Sequence, residues 1–218
     1  MLQWINRGPV IIFFLLFFLF NESCADTNKP STSEPNTDNA EASVSIPWRE
    51  LNLAKDSAAL LVAVRNLMAA DTNVALITVD SLGRPRVRTV YAIVEEKLAN
   101  TISNRSGIWI MTRASTRKVS QLQMDPRVTL YYNDDATVRY ASIMGIATIY
   151  TDHNDKEASQ FLRNKVDTGM IKYFWPSFPQ DFALLKVRPQ WIEYLSKEDA
   201  HGDPKTWRPQ AVVFSEQK

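Results

Sequence analysis

One cysteine, six glycines and two histidines in 218 residues remove several chemistries at the outset. A single thiol, Cys24, can form neither a disulfide within the chain nor a cysteine-based metal site. His153 and His201 stand in polar contexts far apart, without the His and Cys spacings of zinc sites, and read as solvated surface side chains. No P-loop, no G-x-G-x-x-G and no G-x-S-x-G elbow occurs, so neither a nucleoside triphosphatase, a Rossmann dehydrogenase nor that type of serine hydrolase is signalled. Neither sign of charge is in excess, with 25 Lys and Arg against 24 Asp and Glu, which argues against a general polyanion binder. With so little glycine to form a backbone cradle, any phosphate site must be built from Arg and Lys side chains.

Long apolar runs are also scarce. The one present, Val10–Phe20, would rise only about 16 Å as a helix, against a bilayer core of roughly 30 Å. With Arg7 before it, the run has the size of a signal-peptide core. Ser23-Cys24-Ala25 permits cleavage after Ala25, or cleavage before Cys24 followed by its lipidation, although Asn21 and Glu22 depart from the usual lipoprotein pattern. An uncleaved anchor is the third alternative. Residues 1–25 are therefore expected to export the chain to the cell envelope or periplasm. Residues 26–46 contain DTNKPSTSEPNTDNAEASVS, too polar to offset the entropy of ordering, and read as a disordered linker. Residues 47–218 are expected to form one domain, with an ordinary 45% of hydrophobic residues in the chain as a whole.

Within it, Ala58, Leu61, Val62, Val64, Arg65 and Met68 recur at helical spacing and predict an amphipathic helix over Asp56–Ala70. Strands are predicted at Val74–Val79 and Pro85–Val94, joined by Asp80-Ser81-Leu82-Gly83, where Gly83 can take positive φ. Ile108–Thr112 is a third strand. Val128–Asn133 and Arg139–Tyr150 form a second hairpin across Asp134-Asp135-Ala136. Phe182–Val187 and Gln190–Leu195 read as two strands separated by Arg188-Pro189, and Ala211–Phe214 as a last one. Short helices fall at Thr116–Met124, stopped by Asp125-Pro126, and at Asp155–Lys165. Many short strands and few helices predict a mainly β fold, a β-barrel with flanking helices.

Two basic clusters interrupt this pattern. Arg113, Arg117 and Lys118 crowd the turn and first turn of the helix within Ile108–Tyr132. A helix N-terminus already carries partial positive charge, so cations there cost stability unless an anion joins them. The second cluster is Arg84-Pro85-Arg86-Val87-Arg88. On a strand, Arg86 and Arg88 share one face and Val87 and Thr89 the other, and two like charges repel unless an anion or carboxylate lies between them. Each cluster alone is compatible with a solvated surface; together they point to one phosphate.

The segments ALITVDSLGRPRVRTV, IWIMTRASTRKVSQLQMDPRVTLYY, RYASIMGIATI and the tail GDPKTWRP carry a resemblance. They resemble the FMN-binding split β-barrels related to pyridoxamine 5′-phosphate oxidase, in particular the branch of general stress proteins. The resemblance implies a split barrel and a homodimer with FMN between subunits. It implies that Arg88 reaches the FMN phosphate, that the backbone of Thr89 and Val90 runs beside the flavin ring, and that Met111 and Thr112 lie near the ring and ribityl chain. It implies that Arg117 and Lys118 clamp the phosphate. Tyr140 falls where the oxidase has a flavin-contacting glutamine, and Arg208 matches a C-terminal arginine near the partner's flavin. Trp191 and Trp207 are candidates for covering a ring or for the core.

The departures bear on the reaction. Ile93 replaces the lysine that holds the oxidase's substrate phosphate, and Arg208 is followed by Pro209 and Gln210 rather than by the expected histidine. The expected function is therefore an FMN-dependent oxidoreductase acting on another small molecule. The alternative is a non-catalytic flavin- or ligand-binding stress protein. Related barrels bind deazaflavin or haem, and the sequence leaves that choice open.

Overall fold

Asp56 begins the first helix by accepting the Ala59 N–H with its side chain (3.0 Å), which satisfies one of the free donors of the first turn. In the computed structural model, the structure describes residues 51–94 and 107–214, apart from 167, 168, 170, 172–174 and 176. The predicted export signal, the linker and Cys24 lie outside the described residues.

The elements are α1 (Ser57–Ala70), β1 (Asn73–Val79), β2 (Pro85–Val94), β3 (Ile108–Arg113), α2 (Arg117–Met124), β4 (Arg127–Asp134), β5 (Arg139–Tyr150), α3 (Lys156–Lys165), β6 (Phe182–Ser196) and β7 (Gln210–Val213). Strand order is β3-β2-β1-β4-β5-β6-β7, all neighbours antiparallel, and an added β3–β6 pairing closes six strands into a barrel. The fold is mainly β with three helices, as the sequence pattern implies.

Both predicted hairpins form. The β1–β2 turn has Gly83 at φ +74°, and Asp80 accepts the N–H groups of Leu82 and Arg84. Alternation along each strand fills the barrel: Val74 and Leu76 of β1, Val90 and Ala92 of β2, Ile108 and Ile110 of β3, and Leu130 and Tyr132 of β4 point inward and are buried. Leu60, Val64, Leu67 and Met68 of α1 join this core. A second cluster lies outside the barrel wall, where Phe161 of α3 stacks on Trp109 of β3 at 4.6 Å.

One expectation is corrected. Phe182–Val187 and Gln190–Leu195 are not two strands but one, β6, running through Pro189. Proline ends a strand when it removes a ladder hydrogen bond. Here the β5–β6 register shifts between Met144 and Gly145: Met144 pairs with Trp191 and Gly145 with Pro189, leaving Gln190 as the extra residue of a bulge. Gln190 is not idle, since its carbonyl accepts the Phe214 N–H at 2.8 Å. A Cβ on Gly145 would run into the Arg188 carbonyl, so the close approach of β5 to the bulge requires glycine there. The long β6 can thus pair with β5 along one edge and with β3 and then β7 along the other.

Candidate functional site

Arg88 points inward at the end of the barrel where α2 sits. Its Nη1 donates to Thr78 Oγ1 (2.5 Å) and its Nη2 to Gln121 Oε1 (2.8 Å), while Thr78 donates to the same Gln121 oxygen (2.6 Å). Both acceptors are buried and neutral. They fix the guanidinium without cancelling its charge. Lys118 of α2 is half-buried and donates to Thr112 Oγ1 at 2.8 Å. Burial and then the nearby Arg117 and Arg86 charges lower the Arg88 pKa; burial and then Arg88 lower that of Lys118. Among the described residues, Arg88, Arg117 and Lys118 make no ion pair with a carboxylate. Arg88 and Lys118, half-buried, and Arg117, exposed at the start of α2, form a positive site.

The start of α2 adds to it. Thr116, the N-cap residue, makes no capping bond with its side chain; its hydroxyl donates to the Arg113 carbonyl (2.8 Å). No acidic residue stands in the first turn of α2. This helix end therefore retains its positive partial charge beside Arg117 and Lys118.

The two sequence clusters do not merge whole. Arg86 pairs with Asp80 (Nε to Oδ2, 2.9 Å), as does Arg84 (3.0 Å). Asp80 also accepts backbone N–H groups; the Arg84 N–H leads the causes that lower its pKa to about 2. The repulsion expected between Arg86 and Arg88 is thus relieved by a turn carboxylate, and Arg88 alone of that cluster belongs to the site. Arg113 also parts from its cluster. Along β3, Thr112 faces Lys118 and the barrel, while Met111 and Arg113 face outward.

Beside the cations lies a cavity of about 600 Å³, lined by Tyr91, Ile93, Met111, Thr112, Arg113 and Trp175 among others. That volume sits within the range of about 300–1,000 Å³ usual for small-molecule sites. Thr112 joins the two features, since it lines the cavity and accepts the bond from Lys118.

The remaining candidates lie as follows. Thr89 is exposed on the outer face of β2, and Val90 puts its side chain into the barrel core, leaving only its backbone for any ligand. Tyr140 lies on β5 with its ring 5.7 Å from that of Tyr131 and is not among the cavity-lining residues. Arg208 is exposed in the turn that precedes β7, next to Trp207, which is 60% exposed with φ +53°. Trp191 lies partly buried on β6, with its Nε1 buried and without a partner. His153 and His201 are less solvated than expected: the His153 ring meets Phe178 edge-on at 5.5 Å, and His201 meets Tyr194 at 5.8 Å. Each is half-buried against at least one aromatic ring.

Sequence reasoning missed Thr78, Gln121 and Asp181. Thr78 sits on the inward face of β1, diagonal to Arg88 across the β1–β2 pair, and Gln121 stands one turn after Arg117 on α2. Both are signals that a strand and helix projection carries. Asp181 carries none: it reaches Ser115 across 66 residues, its Oδ1 accepting the Ser115 N–H (2.7 Å) and its Oδ2 the hydroxyl (2.8 Å), and its carbonyl accepts the Ala114 N–H (2.8 Å). These three bonds hold the turn that leads into α2.

A six-stranded antiparallel barrel with a cationic site at the start of α2 defines a protein of the split-barrel class. The pyridoxamine 5′-phosphate oxidase family model matches residues 60–196, well over half of the chain, and the chain belongs to that family. Among solved structures it is similar to a Clostridium acetobutylicum protein related to general stress protein 26, of the pyridoxinephosphate oxidase family. That match has 18% identity and a TM-score of 0.53, over 71% of this chain and 94% of the other. General stress protein 26 of Bacillus anthracis is similar at 17% identity and a TM-score of 0.51, over 71% and 98%. A heme binding protein from Mycobacterium smegmatis matches at 17% identity and a TM-score of 0.50, over 74% and 60%. At these identities the likeness is one of fold. No curated protein sequence matches the chain.

Proposed function

We propose that this protein binds FMN and acts as a flavin-dependent oxidoreductase on a small molecule other than pyridoxamine phosphate. The observation that supports it most is the junction at Thr112: three cations without a carboxylate partner among the described residues on one side, an apolar cavity on the other. A ligand with a terminal phosphate and a flat apolar body fits that pair of features. Arg88, Arg117 and Lys118 would hold the phosphate, with Thr78 and Gln121 keeping Arg88 in place. Met111, Thr112 and the backbone of Thr89 and Val90 would flank the ring. Bound FMN supplies hydride transfer at its N5 atom; the chain's own residues bind, orient and exclude water. Haem receives less support, because neither histidine, the commonest axial ligand, lines the cavity.

The protein is proposed to work as a homodimer. The outer barrel face carries Val87 (66% exposed), Tyr91 (52%) and Tyr131, with Tyr140, Met144 and Trp191 on the same face by strand register. These exposed apolar and aromatic side chains, set among Thr89, Thr129 and Ser142 of the same face, favour a protein partner over water. A second copy would cover it, and Arg208 would then serve the partner's site. The export signal read in residues 1–25 would carry the domain to the cell envelope, with or without a lipid on Cys24.

The experiment is to purify the protein with FMN and add NADH or NADPH together with an electron acceptor. Turnover supports the oxidoreductase. Stably bound FMN that no reductant turns over replaces it with the non-catalytic binder.

A further inference from the structure

We infer that the cavity, beside the ring that the flavin reading places at Met111 and Thr112, also accepts a substrate with an apolar body and a single acidic group, and that Arg113 recognises the acid. The inference deepens the flavin reading, on which it rests for calling the bound molecule a substrate.

Alternation along β3 separates two cationic sites. Ile108 and Ile110 enter the barrel core, and Thr112 faces Lys118. Trp109, Met111 and Arg113 point the other way: Trp109 lies under Phe161, Met111 is packed beside it, and Arg113 is exposed at the strand end on the cavity wall. The cavity therefore meets the phosphate site through Thr112 but has its own cation.

Among the described residues Arg113 makes no ion pair, and the one carboxylate whose charge it influences, Asp181, has both oxygens engaged by Ser115. The guanidinium is left as a bidentate fork for a carboxylate-like group. The rest of the wall sets the limit of one acid. Ile93, Met111, Tyr91 and Trp175 are apolar or aromatic and Asn73, Thr112 and Thr116 are neutral, so a second charge there would lose hydration without a countercharge. Ile93 is decisive, because it stands on the outward face of β2 where a longer cationic side chain would reach the same cavity.

The test is calorimetric titration of the FMN-loaded protein with 4-phenylbutyrate and with its neutral amide, in wild type, Arg113→Gln and Arg113→Lys. Wild type is expected to bind the acid about tenfold tighter than the amide. Arg113→Gln should lose that preference while retaining its FMN, and Arg113→Lys should keep part of it. Wild type that binds neither probe, or both alike, overturns the inference, as does an Arg113→Gln variant that still prefers the acid. Heat needs no flavin signal. A chain that takes up no FMN yet prefers the acid through Arg113 therefore loses the flavin reading and keeps this one, whereas retained FMN without the preference does the reverse.

Discussion

At Arg88 the barrel holds a half-buried guanidinium with two neutral oxygens and leaves its charge for an outside anion. Replacing Thr78 by valine removes one of those acceptors. The variant should lose about 1.5–3 kcal/mol, the range for hydrogen bonds to charged groups, measured by urea unfolding, and should bind phosphate more weakly. Lys118 gives the site a pH dependence. Its folded pKa lies below the ordinary lysine value, so between the two values the unfolded chain holds more protons. The stability of the flavin-free protein should therefore rise with pH across that window. Added phosphate favours the protonated lysine, so its stabilising effect should be full below the window and fade across it. Thermal melts over a pH series, with and without phosphate, check both trends, and Lys118→Met should flatten them. The charge at Arg117-Lys118 was legible in the sequence because cations at a helix start violate a simple electrostatic rule. Arg86 was not separable from Arg88, because Asp80 reads as a turn former and only the folded hairpin shows it pairing with Arg86. Neutral Thr78 and Gln121 break no rule, and only a strand and helix projection places them beside Arg88 and Arg117.

The elements hold this site through contacts that are distant in sequence. Asp181 pins the turn before α2 with its carboxylate and carbonyl. The Ser115 hydroxyl and then its N–H lower the Asp181 pKa, so the clasp is present at neutral pH and lost as pH falls through the folded value. Protection of residues 113–116 against hydrogen exchange, taken relative to the intrinsic rate at each pH, should fall on acidification, and in Asp181→Ala it should be low at every pH. The bulge in β6 makes a second prediction: Gly145→Ala should cost about 1–3 kcal/mol by overpacking against the Arg188 carbonyl. Hairpins, helices and their approximate ends were readable from turn residues and periodicity. The unbroken β6 was not, because proline signals a break unless the neighbouring strand supplies a bulge. That pairing, like the β3–β6 closure, is a property of the assembled barrel.

For the whole molecule, the proposals concern what lies beyond one copy of the chain. If a second copy covers the outer face, Tyr131→Glu should shift the protein to monomer in sedimentation, because a charge would be buried at the centre of that face. FMN affinity should fall with it, since the proposed cofactor site lies between subunits. The central claim remains the proposed phosphate site joined to an apolar cavity. It is tested most directly by titrating the flavin-free protein with FMN and with riboflavin, which lacks the phosphate, and following flavin fluorescence. Two or three charge-assisted bonds predict FMN binding at least about 100-fold tighter than riboflavin in wild type, with the difference lost in Arg117→Ala/Lys118→Ala. Equal affinities for the two flavins, or no binding of FMN by the wild-type protein, would contradict the account.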